Sequence, residues 1–337
     1  KGVLHTHNTT LYGLREYAKW MDLGPSMVLW MPSPISHATG LQWGVRTSIY
    51  AGGTIVLQEN WNAVEAIDLV KRTEATHTIG ATAFIHDLRL VARGRQADLA
   101  SLQYFVCAGA PIPEEIADAV QRELGFEFIR AYGMSEHFIS TICHPTDPLE
   151  KRLVTDGRCL PGTEIAIFDD ERSEQLDAGE EGELAIRGPG VSLGYLNEPE
   201  ETSRTWTADG WQFSGDVAAI DEAGFVKLLG RKKDLIIRGG LNISAQEVES
   251  LLFLHPDIED VALIGIPDER LGEKICAVIV PVEGTSPTVD DLTRHLMGLG
   301  VSKMKLPEIV ELRTILPKTA SGKIRKNVLR EEMNRKA

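Results

Sequence analysis

The stretch from Tyr104 to Glu136, "YFVCAGAPIPEEIADAVQRELGFEFIRAYGMSE", indicates how the first part of the chain folds. It begins with a short apolar run rich in aromatic and β-branched residues, which predicts a buried strand. Pro113 and the two acidic residues after it then open a helical segment, because proline and acids both suit the first turn of a helix. A second buried strand, "EFIRAYG", follows. Strand, helix and strand in this order predict parallel strands covered by helices.

The same alternation extends on the amino-terminal side of this stretch, beginning at Val28. The strand-like runs are "VLWMP", "TIVLQ" and "HTIGA", and the segment between the last two has Asn62 and Glu65 at the spacing of a capping box. We therefore expect an α/β fold with a doubly wound parallel sheet within residues 1–162. Ligands of such sheets gather beyond the carboxyl ends of the strands, so the loops "CAGAP" and "YGMSE" should face a site.

The pattern changes at about Thr163. Short strands separated by Gly and Asp turns predict a small β-rich, barrel-like unit over residues 163–232. The segment "SAQEVESLLFLHP" then starts a helix with Ser244 and Glu247 as a second capping box. Strand, helix, strand, turn and helix follow, which is enough for a compact α+β domain over residues 233–337. We place the boundary near Lys233, in the polar run "GRKKD", so that residues 1–232 belong to the large domain.

Composition excludes several classes of partner and site. A net charge of −14 argues against nucleic acid or an anionic membrane surface as the main partner, because phosphate attracts basic faces. The four cysteines include no CxxC pair and no short spacing with histidine, so no zinc site is predicted. A reduced, cytoplasmic protein is the simplest interpretation. No apolar run reaches the roughly 20 residues that span a bilayer.

Short motifs in a fixed order carry a family resemblance. They are "KG" at the start, "PSPISHATG", "CAGAP", "YGMSE", "WQFSGD", "GRKKDLIIRGGLNISAQEVE" and "PKTASGK". Together they resemble the adenylate-forming superfamily of acyl-CoA synthetases, adenylation domains and luciferases. Within it, "HATG", "GATAF" and "ISAQEVE" look closest to bacterial short- and medium-chain fatty acyl-CoA synthetases and alicyclic-acid ligases. The segment "RGPGVSLG", by contrast, fails the dinucleotide-binding fingerprint in spacing and context.

The resemblance implies a two-step ligase. A carboxylic acid attacks the α-phosphorus of MgATP to give an acyl adenylate and pyrophosphate, and the thiol of coenzyme A then displaces AMP to give a thioester. By the same resemblance, Lys323 in "PKTASGK" is the cation of the first step. Those residues alone favour a solvated lysine beside a turn. The small domain would rotate about Lys233 between the steps and offer a channel for coenzyme A at Gly239 and Gly240.

The resemblance also assigns the nucleotide site. Tyr132 would present its ring to adenine, Ser135 a hydroxyl to phosphate, and Glu136 a carboxylate to Mg²⁺, which prefers oxygen ligands. The family usually has threonine where this chain has Ser135, and both side chains supply a hydroxyl. Asp216 would accept the ribose hydroxyls, and Arg231 would reach the ribose or a phosphate. Backbone close to the adenine would come from Gly109, Ala110, Pro111 and Gly133.

The acyl pocket is implied in the same way. His37 matches the position that gates the pocket, although a lone histidine near apolar strands is often a core residue. Small side chains would leave room for an aliphatic chain, with packing of the sheet as the equal alternative. The expected pocket wall consists of Trp43, Gly80, Ala81, Ala83 and His137.

Three further expectations concern the whole protein. Lys1 and Gly2 match the end of the phosphate-binding loop of the family, so we expect a domain and most of this loop upstream of the chain. The isolated chain should then be nearly inactive. The expected partners are the acid, ATP and coenzyme A, and the resemblance allows a homodimer.

The resemblance leaves other functions open. An adenylation enzyme that loads a carrier protein with an amino acid would need an aspartate near His37, but "MPSPISHATGLQWGVRTSI" contains no acid. The chain also ends soon after the lysine motif, which leaves no carrier domain. A luciferase-like oxidase shares the same motifs. From a different class, the chain could be a non-catalytic binding module that retains the fold.

Overall fold

The computed structural model describes residues 1–109, 114–318 and 324–335, with nothing stated of the side chain of Glu115. The chain forms two compact units. The first consists of Lys1–Ser214 and Ala218–Leu228, and the second of Gly215–Val217 and Leu229–Ala337. None of the described helices is both long enough and apolar enough to cross a bilayer.

The first unit is built on a seven-stranded sheet. Its strands are β1 (Val28–Met31), β2 (Thr54–Leu57), β3 (His77–Gly80), β4 (Tyr104–Cys107), β5 (Glu127–Met134), β6 (Phe138–Ile142) and β7 (Arg158–Cys159). Its helices are α1 (His7–Trp20), α2 (Thr47–Ala51), α3 (Ala63–Thr73), α4 (Thr82–Val91), α5 (Glu114–Leu124) and α6 (Leu149–Val154). A π-helix, Thr39–Arg46, runs directly into α2, and a short 3₁₀ helix spans Gln96–Leu99.

The strand order of this sheet is β2-β1-β3-β4-β5-β6-β7. Strands β1 to β5 pair in parallel, which confirms the predicted α/β class. Strands β6 and β7 extend the sheet in antiparallel pairing, so the sheet is mixed. One face packs against α1 through a core that includes Leu14, Tyr17, Leu29, Met31, Ile79, Val106 and Ile129.

A four-stranded sheet follows, in the β-rich part that the Gly and Asp turns predict. It consists of β8 (Glu164–Phe168), β9 (Gly182–Arg187), β10 (Gln212–Ile220) and β11 (Val226–Arg231), in the order β11-β10-β9-β8. Helix α7 (Pro199–Thr205) lies between β9 and β10 in sequence. The middle of β10 and the end of β11 are the parts assigned to the second unit.

The second unit has the α+β composition that the sequence predicts. Its elements are β12 (Leu235–Arg238), β13 (Leu241–Ser244), α8 (Ala245–Leu252), β14 (Ile258–Asp268), β15 (Gly272–Pro281), α9 (Val289–Gly298), β16 (Ile309–Leu312) and α10 (Lys326–Asn334), with short 3₁₀ helices at Lys232–Asp234 and Lys303–Lys305. The sheet order is β13-β12-β15-β14, and β16 pairs with β15 in parallel.

Side chains of β14 alternate between two cores in this unit. Val261 and Leu263 pack with α8 and α9 on one face, whereas Ala262 and Ile264 pack with α10 on the other. Successive side chains of a strand point to opposite faces, so a strand buried on both faces is apolar throughout. This explains why "VALIGI" contains no polar side chain.

Both predicted capping boxes form only in part. Asn62 accepts a hydrogen bond from the backbone N–H of Glu65, and Ser244 accepts one from that of Glu247. The carboxylate of Glu247 binds the amine of Lys305 at 2.7 Å instead of turning back to the helix start. The cap itself satisfies a free N–H of the first helical turn, which is the main contribution of this motif to helix stability.

The stability of the first unit should fall in mild acid because of His77. This side chain is 2% exposed, and its Nε2 lies 3.0 Å from the hydroxyl of Tyr17. Burial lowers the pKa of His77 from 6.5 to about 4. Between about pH 6.5 and 4, His77 is therefore protonated in the unfolded chain and neutral in the folded unit. The free energy of unfolding falls as the pH is lowered through this range, by at most about 1.4 kcal/mol per pH unit for this histidine.

The change His77→Gln should make this pH dependence shallower, because glutamine can still bond to Tyr17 but does not titrate. Urea unfolding followed by tryptophan fluorescence reports on this unit, since all six tryptophans lie between Trp20 and Trp211. The matched control is His7→Gln, at an exposed histidine of the same unit. Equal slopes for the wild type and His77→Gln between pH 6.5 and 4.5 would contradict the expectation.

Candidate active site

The carboxyl ends of β3, β4 and β5 lie at one edge of the large sheet. Gly80 is in register with Cys107, and Cys107 with Arg130. Because the strands are parallel, the segments that follow them begin on the same side of the sheet. The predicted residues at or just after the ends of these strands are thereby brought to the same edge; they are Gly80 to Ala83, Gly109 and Gly133 to Glu136. The structure places them where ligands of parallel sheets bind.

Gly133, near the end of β5, and Phe138, the first residue of β6, lie on either side of the tight connection between these strands. A side chain at Gly133 would lie 1.7 Å from the carbonyl oxygen of Phe138, so only glycine fits. Phe138 itself has φ +54°, a left-handed conformation that is uncommon for an aromatic residue. Its ring stacks on His5 at 4.4 Å, and the His5 ring nitrogen lies 2.7 Å from the carbonyl oxygen of Ser135. The loop that contains Ser135 and Glu136 is therefore held by the strand ends that flank it and by His5.

Glu136 is the buried acid of this loop. Its side chain accepts a hydrogen bond from the hydroxyl of Tyr195 at 2.7 Å, while its backbone carbonyl accepts one from the N–H of Ser192 at 2.8 Å. Burial, and then the bond to Glu136, raises the pKa of the Tyr195 phenol, so this hydroxyl is protonated and donates. Ser135, next in sequence, is exposed.

The donor set fits Mg²⁺ bound with a nucleotide. Carboxylate oxygen is a ligand that Mg²⁺ prefers, and this ion is commonly held by one or two carboxylates together with substrate phosphates. No group of three or more His, Cys, Asp or Glu side chains that could hold a metal occurs in the described part of the chain. Glu136 is the carboxylate at this edge of the sheet that could contribute an oxygen to such an ion.

Tyr132 and His137 are both buried beside this loop, with their ring centres 5.5 Å apart. The Nδ1 of His137 lies 2.6 Å from the hydroxyl of Ser140, and burial lowers the pKa of His137 to about 3. The imidazole is thus neutral near pH 7. Its Nε2 is buried and has no hydrogen-bond partner among residues 1–109, 114–318 and 324–335, which is a feature expected beside a ligand.

His37 and Trp43 lie on either side of the start of the π-helix. His37 is exposed, and its Nδ1 lies 3.1 Å from the hydroxyl of Thr39. Trp43 is 5% exposed and meets the rings of Tyr17 and Phe138 edge to face. A π-helix is rare and is frequently found at functional sites. Trp43 thus lies in the same core as Phe138, whereas His37 lies at the surface.

The small residues after β3 differ in their surroundings. A side chain at Gly80 would lie 3.0 Å from the ring of Phe84, which is a tight contact. Ala81 is the N-cap residue of α4 in an extended conformation, and Ala83 is exposed in the first turn of this helix. At Gly80 the absence of a larger side chain therefore has a packing reason.

Asp216 and Arg231 form an ion pair in the second unit, with Arg231 Nε 3.3 Å from the Asp216 carboxylate. Asp216 is buried and Arg231 is exposed. Lys233, the predicted hinge, is exposed in the short 3₁₀ helix that precedes β12.

Gly239 and Gly240 make the two-residue turn between β12 and β13, where Arg238 pairs with Leu241. Their φ angles are +59° and +83°, which is the type I′ geometry that favours glycine at both positions. Both glycines are exposed at the tip of this hairpin. Three other predicted site residues, Ala110, Pro111 and Lys323, lie outside the described residues.

Tyr195 and Ser192 are contacts of the loop that the motifs did not indicate. They lie 59 and 56 residues after Glu136, and their only nearby sequence signal is "RGPGVSLG", which ends directly before Tyr195. His5 likewise reaches the loop from the start of the chain.

Comparison with known proteins identifies the family of the chain. The family described as AMP-binding enzyme matches residues 1–196, and its C-terminal domain family matches residues 247–323. The chain belongs to the AMP-binding enzyme family. The resemblance to adenylate-forming enzymes that the motifs carry is confirmed at this level.

Two relatives of this AMP-binding enzyme carry curated names. The medium-chain fatty-acid–CoA ligase of Escherichia coli (strain K12) is 39% identical over 337 residues, which are 100% of this chain and 59% of that protein. The human mitochondrial medium-chain acyl-CoA ligase ACSF2 is 34% identical over 308 residues, which are 90% of this chain and 50% of that protein. The chain therefore spans between half and three fifths of the length of these relatives.

Solved structures confirm the fold of the AMP-binding enzyme. ATP-bound MatB from Rhodopseudomonas palustris superposes with a TM-score of 0.88 at 29% identity, covering 99% of this chain and 65% of that one. The amide bond synthetase McbA from Marinactinospora thermotolerans gives a TM-score of 0.85 at 31% identity, with 98% and 67% covered. The o-succinylbenzoate CoA synthetase MenE from Bacillus subtilis, bound to its acyl-adenylate intermediate, gives 0.88 at 26% identity, with 98% and 66% covered.

Proposed function

We propose that the polypeptide containing this chain is an ATP-dependent acyl-CoA ligase that acts on short- or medium-chain fatty acids. The observation that carries the proposal is the 39% identity to a medium-chain fatty-acid–CoA ligase over all 337 residues. The buried carboxylate of Glu136 at the ligand-binding edge of the sheet supports it. In this proposal the chain supplies part of the nucleotide site, the acyl pocket and the domain that contains Lys323.

The first step joins the acid to AMP. A carboxylate oxygen of the fatty acid forms a bond to the α-phosphorus of ATP, and the bond from this phosphorus to the bridging oxygen breaks, which releases pyrophosphate. Bound Mg²⁺ would neutralise charge on the phosphates. Tyr132 and Gly109 would lie beside the adenine, Ser135 would donate its hydroxyl to a phosphate oxygen, and Glu136 would hold the metal ion.

The second step transfers the acyl group to sulfur. The thiol of coenzyme A attacks the acyl carbon, loses its proton and displaces AMP. The second unit would serve both steps, with Lys323 at the phosphates in the first. In the second step, after rotation at Lys233, Gly239 and Gly240 would line the path of the thiol. Such rotations need only one residue whose backbone angles change strongly, which suits the exposed Lys233.

The acyl chain would lie against the apolar core beside the loop of Glu136. Trp43 and Gly80 would form its walls, and the neutral imidazole of His137 offers a buried nitrogen without charge. A charged group there would oppose an aliphatic chain, because burial of an ion costs much more free energy than burial of a neutral ring. His37 lies at the surface and would act at the pocket entrance.

The test is an AMP-release assay with linear, alicyclic and aromatic acids, with and without coenzyme A, on the longest natural polypeptide that contains this chain. We expect release of AMP that depends on both a short or medium linear acid and coenzyme A, with the acyl thioester as product. The 337-residue chain alone is measured in parallel. AMP release that a phosphopantetheine carrier stimulates and coenzyme A does not would favour the carrier-loading alternative, and no AMP release with any acid would contradict a ligase.

A further inference from the structure

The bond between Tyr195 and Glu136 links two segments that are 59 residues apart in sequence. Each of the two side chains belongs to a residue that is 9% exposed, and the distance of 2.7 Å is that of a strong O–H···O⁻ bond. Among the described residues, no other hydrogen bond to the Glu136 carboxylate is formed. One carboxylate oxygen is thus occupied by the phenol, and the other remains available to a ligand.

Tyr195 is itself held in place by several contacts. Its backbone N–H donates to the hydroxyl of Thr202 at 2.9 Å, and its ring packs edge to face on Trp206 at 5.0 Å. The amine of Lys1 lies over the same ring, 4.7 Å from its centre, and also pairs with Glu201. A phenol fixed at its backbone and by two contacts of its ring can direct its hydroxyl to one place.

The same segment also fixes the backbone of Glu136. The N–H of Ser192 donates to the Glu136 carbonyl at 2.8 Å, three residues before Tyr195. Backbone and side chain of Glu136 are therefore held by one short stretch of chain. The phenol donor satisfies one oxygen of this buried carboxylate and fixes its direction.

We infer that Tyr195 is a positioning residue for the Mg²⁺ ligand, in that its hydroxyl orients the Glu136 carboxylate for the metal ion that accompanies ATP. This inference rests on the proposed function. Carboxylates that bind metals are commonly held by such outer hydrogen bonds, and loss of one typically lowers metal affinity or activity about 10- to 100-fold. In this proposal Tyr195 would act on the metal ion only through Glu136.

The test is Tyr195→Phe, which removes only the hydroxyl. In the longest natural polypeptide containing the chain, the Mg²⁺ concentration for half-maximal ATP–pyrophosphate exchange should rise about 10-fold, with the rate largely recovered at saturating Mg²⁺. The matched control is Tyr12→Phe, which removes a phenol that donates to the carbonyl of Pro161 in the same unit. That control should leave the Mg²⁺ requirement unchanged.

A direct binding measurement separates this inference from the proposed function. Binding of Mn²⁺ in the presence of ATP, followed by electron paramagnetic resonance, should weaken about 10-fold in Tyr195→Phe whether or not the protein turns over. Tyr195→Phe should add nothing to Glu136→Gln, because the oriented ligand is already lost. If Tyr195→Phe does not fold, Thr202→Val, which removes the acceptor of the Tyr195 N–H, should raise the Mg²⁺ requirement in the same direction.

Three results would overturn the role of Tyr195. They are an unchanged Mg²⁺ requirement and Mn²⁺ affinity in Tyr195→Phe, an equal change in Tyr12→Phe, or an additive loss when Tyr195→Phe is combined with Glu136→Gln. Absence of pyrophosphate exchange with every acid would instead refute the proposed ligase, and the Mn²⁺ affinities would still decide the inference.

Discussion

Replacement of Lys323 by alanine should slow formation of the acyl adenylate by a factor of about 10²–10³, while transfer to coenzyme A from a supplied acyl adenylate stays close to wild type. Negative charge builds on the phosphoryl oxygens in the first transition state, and in the proposed mechanism rotation of the second unit would withdraw Lys323 from them before transfer to coenzyme A. A cation placed there contributes about 3–4 kcal/mol to that step and nothing to the second. ATP–pyrophosphate exchange and thioester formation from synthetic acyl adenylate measure the two steps separately.

The residues on either side of this segment provide the control. Lys318 and Ile324 form an antiparallel bridge, and the N–H of Arg325 donates to the carbonyl of Pro317 at 2.8 Å. The amine of Lys318 lies 2.6 Å from Asp260. Lys318→Ala removes a lysine of the same motif that already has a structural partner, and it should leave both half-reactions nearly unchanged. Equal losses in both half-reactions of Lys323→Ala would show that this lysine acts in folding or in both steps.

The change Asp156→Ala should lower the free energy of unfolding of the first unit by about 3–5 kcal/mol. The Asp156 carboxylate lies 3.0 Å from the guanidinium of Arg130, and both side chains are 5% exposed. The same carboxylate accepts the backbone N–H of Leu228 at 3.0 Å. Removal of the acid leaves a buried guanidinium without its counter-charge and a backbone donor without its acceptor, and each is costly.

Asp118→Ala is the matched control for this change, because Asp118 pairs with Arg122 on an exposed face of α5 and such pairs contribute at most about 1 kcal/mol. Urea unfolding by tryptophan fluorescence measures both variants. The double variant Arg130→Met with Asp156→Ala should be less destabilised than the sum of its single changes, because it leaves no buried charge unpaired. A loss below about 1 kcal/mol for Asp156→Ala would contradict the assigned role of this pair.

The parallel strands could be predicted because burial on both faces makes them continuously apolar, as in "YFVC". The antiparallel β6 was not predicted, and its turn explains why. Gly133 supplies the close approach, but the left-handed position of the turn is taken by Phe138, not by glycine or asparagine. A turn without its usual residue gives no signal in the sequence. The π-helix at Thr39–Arg46 was likewise not predicted, since one extra residue per turn leaves no clear periodicity.

In the candidate site, too, some residues could be predicted from the sequence and others could not. Glu136 and Gly109 follow strands that the sequence predicts to be parallel, so their approach to one edge of the sheet could be anticipated. The contact of the Tyr195 phenol with Glu136 could not be anticipated, because the two residues are 59 positions apart in sequence and meet only through tertiary packing. His37 is expected to gate the acyl pocket, and its exposed position beside Thr39 leaves that role a prediction.

The hairpin at Gly239 and Gly240 bears on how the motif is used to recognise active enzymes. Positive φ angles at both positions make these glycines a requirement of the turn, whether or not they also line a path for a substrate. A related protein without catalytic activity would need both glycines for the same conformational reason. A sequence search that scores this glycine pair therefore detects the hairpin. Only residues that the backbone conformation does not require can distinguish an active ligase from an inactive relative.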